Sequence, residues 1–191
     1  MTSPDELRHE LQALAKAALR ARCSALRPGP INSPLAAAKH ALRSLARRWQ
    51  HLDEEIKAHD ALIDELTAQA APALRDAFGI GPDVAAEMLI VVGDNPERIH
   101  SKAAFAKLCG ACPIPASSGS TQRHRLNYAG HRQANSALYR SVIVGMRFHQ
   151  PTIDYVARRT TEGKTKREII RCLKRYLARE IYHKLRAPVR A

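Results

Sequence analysis

The chain has 191 residues and a formal net charge of +13, and 45% of its residues are hydrophobic. That length holds one ordinary domain plus an extension. No apolar run approaches the roughly 18 residues of a membrane span, because Glu87 interrupts the longest, Val84 to Val92.

The charge is unevenly placed. Residues 1–122 carry 14 Lys/Arg and 14 Asp/Glu, whereas residues 123–191 carry 17 and 4. Positive charge concentrated in one stretch is the electrostatic footprint of nucleic-acid binding. The competing readings are a solvated basic tail or a membrane-surface helix. Met1 leads into a polar cap rather than a signal sequence. The four cysteines, at 23, 109, 112 and 172, are scattered, which suits a reducing cytoplasm.

In chain order, Ser3-Pro4-Asp5-Glu6 predicts a helix start, with Ser as cap, Pro at the first helical position and Glu three residues after the cap. Leu7, Leu11, Leu14 and Ala18 mark its apolar stripe, and Arg27-Pro28-Gly29-Pro30 ends it. Ser33-Pro34 opens a second helix. Leu35, Leu42, Trp49, Ile56, Ile63 and Ala70 recur every seven residues, as do Ala38, Leu45, Leu52, His59 and Leu66 at an offset of three. This a/d seam predicts a coiled-coil rod of about 50 Å. A narrow stripe needs a partner, either the first helix or another copy of the chain, and its length favours a homo-oligomer. His59 reads as a register-setting polar residue rather than a metal ligand.

Beyond Ala71-Pro72, a short helix over 73–78 leads into Gly79-Ile80-Gly81, and Pro82 opens a helix through Val92 that Gly93 closes. The arrangement over 73–93 reads as a helix-hairpin-helix whose Gly79, Gly81 and Asp83 amides grip a phosphate, aided by the helix N-terminus. An ordinary interhelical turn uses the same residues. Asp94-Asn95-Pro96 is a turn. Ser101 caps a helix to Cys109 with Ala104, Phe105 and Leu108 inward. Cys109-Gly-Ala-Cys112 has the spacing of half a zinc or redox site, but without a second pair it reads as two buried small residues.

The loop over 111–130 carries Ser117-Ser118-Gly119, with Arg123, His124 and Arg125 close behind. Hydroxyls beside a glycine make a reachable nucleophile, and guanidinium groups suit phosphate. Any strands are short ones around Pro113–Leu126. Helices then run from Ala134 to Phe148 and from Pro151 to Arg159, with Asp154 as a capping residue. Thr165 caps the last helix, striped by Ile169, Ile170, Leu173, Leu177, Ile181 and Leu185. Its other faces carry Lys166, Arg167, Arg171, Lys174, Arg175, Arg179 and Lys184, and Lys164 precedes it. The fold class is mainly α, divided into a coiled-coil segment over 1–72 and a compact helical domain over 73–191 whose basic helices span 132–187.

Taken in order, several pieces resemble the C-terminal part of the IS110/IS116/IS902-type transposases. They are Thr2-Ser-Pro-Asp-Glu-Leu-Arg8, Leu42-Arg-Ser-Leu-Ala-Arg-Arg48, Gly79-Ile-Gly-Pro-Asp-Val-Ala-Ala-Glu-Met-Leu89, Gly93-Asp94 and Phe105-Ala-Lys-Leu-Cys-Gly110. Pro115-Ala-Ser-Ser-Gly119, Asn135 with Leu138, Glu162-Gly-Lys-Thr-Lys-Arg167 and Leu173-Lys-Arg-Tyr-Leu177 follow. The resemblance implies a DNA recombinase that mobilises insertion sequences, working near the bacterial nucleoid. It implies an N-terminal RuvC-like domain with acidic Mg²⁺ ligands, then a coiled coil and a domain with a serine nucleophile. A structured guide RNA directs some members. By position the nucleophile is Ser118, with Ser117 and Ser120 as fallbacks. Nucleic-acid contacts fall to Gly79, Gly81, Asp83, Arg123, Arg125, Lys164, Lys166, Arg167, Arg171, Lys174 and Arg175.

This chain starts where the RuvC-like domain is expected to have ended, and its dispersed acids predict no metal site or cofactor of its own. The expectation is a transposase fragment that binds DNA and needs the acidic domain to cut. The alternative is a non-catalytic, dimerising DNA- or RNA-binding module.

Overall fold

In the computed structural model, residues 4–94, 97, 99–119, 124–125 and 127–186 are described. The described chain is mainly helical and divides into two units, residues 1–61 and 62–191. Ser3, Asn95, Pro96, Ser120, Arg123 and Leu126 lie outside the described residues.

The first unit begins with two helices where the sequence predicts one, α1 (Asp5–Gln12) and α2 (Lys16–Ser24). The chain turns at Ala15, which is extended at φ −62° and ψ 153°. No glycine or proline marks this break. Its cause is packing: Leu7, Cys23 and Leu26 share one core with Ala46 of the third helix. A straight helix would carry Leu7 and Cys23 about 24 Å apart. The turn also shifts the apolar phase, so that Leu19 packs inward and Ala18 is exposed.

The third helix, α3 (Pro34–Ala70), is unbroken over 37 residues. The Ser33 hydroxyl accepts from the Ala36 amide at 3.2 Å and caps its start. Leu35, Ala38 and Leu42 pack on the first unit's core. Farther along the seam Leu45, Trp49, Leu52, Ile56 and Leu66 are exposed, Leu45 to 65%. One Trp49 face is covered by the Arg20 guanidinium, 3.7 Å from the ring centroid. His59 meets Glu55 at 4.0 Å on the surface.

The division between the units falls inside α3 rather than at Ala71-Pro72. The last turns of α3 belong to the second unit, where Thr67 is buried and Asp64 pairs with Arg75. There α4 (Pro72–Arg75) is a single turn, shorter than the predicted helix over 73–78. The second unit continues with α5 (Pro82–Val92), α6 (Lys102–Leu108), a two-stranded antiparallel ribbon of β1 (Ile114–Pro115) and β2 (His124–Arg125), then α7 (Arg132–Phe148), α8 (Gln150–Thr161) and α9 (Lys166–Leu185). Gly93 closes α5 at φ +65°. The Ser101 hydroxyl caps α6 by accepting from Ala104 N at 3.1 Å, and Phe105 and Ala106 face inward while Ala104 is exposed.

Leu74, Met88, Phe105, Cys109, Leu138, Ile169 and Ile181 are the large side chains sealed from solvent in this unit. Helix α7 runs through their midst on a face of small residues, Ala134, Ala137, Ser141 and Gly145, all buried. Small side chains let neighbouring backbone approach closely. A Cβ at Gly79 would stand 3.2 Å from the Ser141 carbonyl oxygen.

Candidate nucleic-acid interface

The serine turn hangs from the ribbon. Ile114 pairs with Arg125 and Pro115 with His124, so the chain that leaves β1 toward Ser117 and Ser118 returns as a strand bearing two basic side chains. Ser117, Ser118 and Gly119 are exposed, and Gly119 has φ +57°.

The base of the ribbon is tied to α6 and α7. Ala111 N and Cys112 N both donate to Ala106 O, at 2.7 and 3.1 Å, and His131 N donates to Leu108 O at 2.7 Å. Asn127 is buried, donates to Cys112 Sγ at 3.1 Å and accepts from Ala129 N at 3.0 Å. Gly110 turns at φ +65° beneath Gly130. Cys109 is fully buried, and burial pushes its thiol up to about 12, so it remains protonated and packs as a small apolar residue.

Between this base and α9 lies a cavity of about 220 Å³. Gly110 to Pro113 and Asn127 form one side, and His124 and Arg125 reach it from β2. Arg159 comes from the end of α8 and Lys164 from the following turn. The first half of α9 adds Glu168, Arg171, Cys172, Lys174 and Arg175. Six Lys/Arg side chains thus face one carboxylate. Glu168 is committed elsewhere, since its Oε2 accepts from Thr165 N at 2.9 Å and Thr165 Oγ1 at 2.8 Å in a capping box. These bonds hold its carboxyl below the ordinary value of 4.5.

Of the predicted contact residues, the cavity brings together Arg125, Lys164, Arg171, Lys174 and Arg175. Lys166 and Arg167 are exposed on the first turn of α9. Lys174 departs from the outer face expected for it. It is 5% exposed, and its Nζ donates to Asn135 Oδ1 at 2.8 Å. Burial, then the charge of Arg171, holds its ammonium below the ordinary 10.5. The reason is positional, because Lys174 sits within the α9 stripe, four residues after Ile170 and three before Leu177.

Gly79, Gly81 and Asp83 sit at the turn into α5. Gly79 has φ +75° with its backbone against Ser141, whereas no atom stands within 4 Å of a Cβ at Gly81, which precedes Pro82 at the open helix start. Asp83 is exposed in the first turn.

Residue patterns alone missed Arg159, read only as a helix end, and the pairing of Asn135 with Lys174. A polar residue in phase with Leu138 and Val142 was the available signal for Asn135.

Among the described residues no three His, Cys, Asp or Glu side chains are grouped to hold a metal ion, and no helix is long and apolar enough to cross a membrane. Residues 71–157 match the model described as Transposase IS116/IS110/IS902 family. The match supports an IS110-type transposase domain over this segment. A search of curated proteins gives no match. The matched segment holds the α5 turn, the serine turn, the ribbon and Asn135, and it ends before Arg159. The cavity is therefore completed by residues that follow the match, those of the α8–α9 turn and α9. DNA is the partner that an insertion-sequence transposase domain calls for.

Proposed function

We propose that this domain holds a DNA strand against its cationic cavity and attacks a phosphodiester with Ser118. The observation that carries this reading is the exposed serine turn on a ribbon whose returning strand supplies His124 and Arg125 to the cavity. In the proposed step the Ser118 Oγ–P bond forms as one strand P–O bond breaks. The serine loses its proton and the departing strand oxygen gains one, so one phosphodiester replaces another. A serine hydroxyl needs activation, and charge developing on phosphate needs cations nearby. Arg125, Lys164, Arg171 and Arg175 supply such cations, and the α5 turn at Gly79, Gly81 and Asp83 offers a second backbone grip. Ser117, also exposed, is the first fallback nucleophile.

The Mg²⁺ implied by the resemblance does not fit the described carboxylates, which form no ligand cluster. Activation by a metal belongs to an acidic RuvC-like domain, and cutting requires that domain. The exposed a/d face of α3 mediates self-association. The outward Lys166 and Arg167 suit a second polyanion such as a structured guide RNA, and the whole assembly would act at the nucleoid.

The test is a covalent protein–DNA adduct, assayed with the chain, a RuvC-like domain, Mg²⁺ and duplex DNA. Ser118→Ala is expected to abolish the adduct and leave binding intact. An adduct that persists in Ser118→Ala removes that serine from the chemistry. Binding with no adduct from any variant favours the non-catalytic module.

A further inference from the structure

The cavity's charge is not balanced by the protein around it. Lys174 is buried and has no carboxylate partner among the described residues; its one acceptor is Asn135 Oδ1. An ammonium has three donors, so two are unspent. Arg159 pairs with Glu162, but its Nε is buried and makes no hydrogen bond among the described residues. Glu168 cannot compensate, since its carboxylate already serves the Thr165 cap. A buried ammonium such as Lys174 without a counter-charge is costly in the free protein, and an entering anion removes that cost.

Asn135 is fixed by its other end. Its Nδ2 donates to Cys109 O at 2.9 Å and Gly110 O at 3.0 Å. Two carbonyls on the amide nitrogen leave only Oδ1 to face Lys174.

We propose that this cavity seats a single phosphate group of a DNA strand, that Lys174 and Arg159 contact its oxygens, and that Asn135 positions Lys174. This inference rests on the DNA-binding reading above and adds a defined anion seat to it. A volume of about 220 Å³ suits one phosphate and its adjoining atoms rather than a length of duplex. Phosphate contacts of this kind fix the register of a strand and carry no sequence information.

The experiment uses the full chain and two probes. Inorganic phosphate reads the seat: it raises the melting temperature above that in chloride at equal ionic strength. Lys174→Gln, which removes the charge, loses that rise, and Lys102→Gln, at an exposed position outside the cavity lining, keeps it. Asn135→Asp, which supplies an internal counter-charge, also loses it with Lys174 intact, whereas a merely structural Asn135 would lower the melting temperature and leave the phosphate effect unchanged. A short DNA duplex reads the wider proposal. Lys174→Gln lowers its affinity about tenfold and reduces the salt slope by about 1. If Lys174→Gln does not fold, Arg159→Gln carries the same expectations.

Phosphate stabilisation that survives both charge removals, or is missing from the wild-type chain, overturns the seat, and DNA binding retained alongside leaves the wider reading standing. Phosphate stabilisation without DNA affinity overturns the DNA reading instead.

Discussion

The backbones of Gly110 and Gly130 lie against each other: a Cβ built on Gly130 would overlap the nitrogen and Cα of Gly110. A Cβ at Gly110 would in turn come within 2.9 Å of Asn135 Nδ2. This crossing closes the base of the ribbon onto the start of α7. Gly130→Ala is expected to cost about 3 kcal/mol or more, as overpacking against rigid backbone does. Gly81→Ala, with open space at its Cβ, is expected to cost under about 1 kcal/mol. Denaturant melts of the two variants provide the comparison, and equal losses would refute the contact.

Gly81 also allows a test of the α5 turn. Its φ of −84° is open to any residue, and its Cβ position is empty. Gly81→Val should therefore fold yet weaken DNA binding by about 1–3 kcal/mol, the scale of a few charge-assisted hydrogen bonds. Unchanged affinity in a folded Gly81→Val chain would remove the turn from the interface. Gly79 cannot serve, because its positive φ and its contact with Ser141 confound any substitution.

The exposed seam on α3 predicts an oligomer. Leu45 and Leu52 are 65% and 43% exposed, outside the first unit's core. Replacing both with Lys should leave helicity unchanged and yield monomers in sedimentation velocity. An oligomer that survives the double substitution places the interface elsewhere.

The capping box at α9 makes part of the stability acid-sensitive. Hydrogen bonds from Thr165 hold the Glu168 carboxyl below 4.5. The unfolded chain then binds the proton more readily, so this contribution is complete above 4.5 and fades as pH falls through the lower folded value. Thr165→Ala should cost about 1 kcal/mol at neutral pH. The melting-temperature gap between wild type and Glu168→Gln should narrow on acidification from about pH 6 to about pH 3. A gap that stays constant would mean the carboxylate charge contributes nothing.

Features set by local chemistry were legible in the sequence. Ser33, Ser101 and Thr165 cap helices where their patterns place them, and Pro82 and Gly93 bound α5. The continuity of α3 followed from its heptads. Features set by tertiary packing were not. The turn near Ala15 has no breaker residue and exists because Leu7 and Cys23 meet one core. The burial of Lys174 was written in the α9 stripe, yet a lysine there reads as a surface residue until Asn135 is known to meet it. Arg159 enters the cavity only because α8 and α9 are brought together by the intervening turn. Ser118 is singled out as a candidate only by resemblance and by its glycine neighbour, since an exposed hydroxyl leaves no periodic trace.

The small residues along α7 carry a consequence for which positions accept substitution. Because the Gly79 backbone approaches that helix at Ser141 with no side chain of its own between them, the turn into α5 is held by main-chain spacing. Arg125, Arg171 and Arg175 line the cavity without entering that contact. A substitution at those positions is therefore expected to change what the cavity grips, whereas a side chain added at Gly79 strains the frame itself.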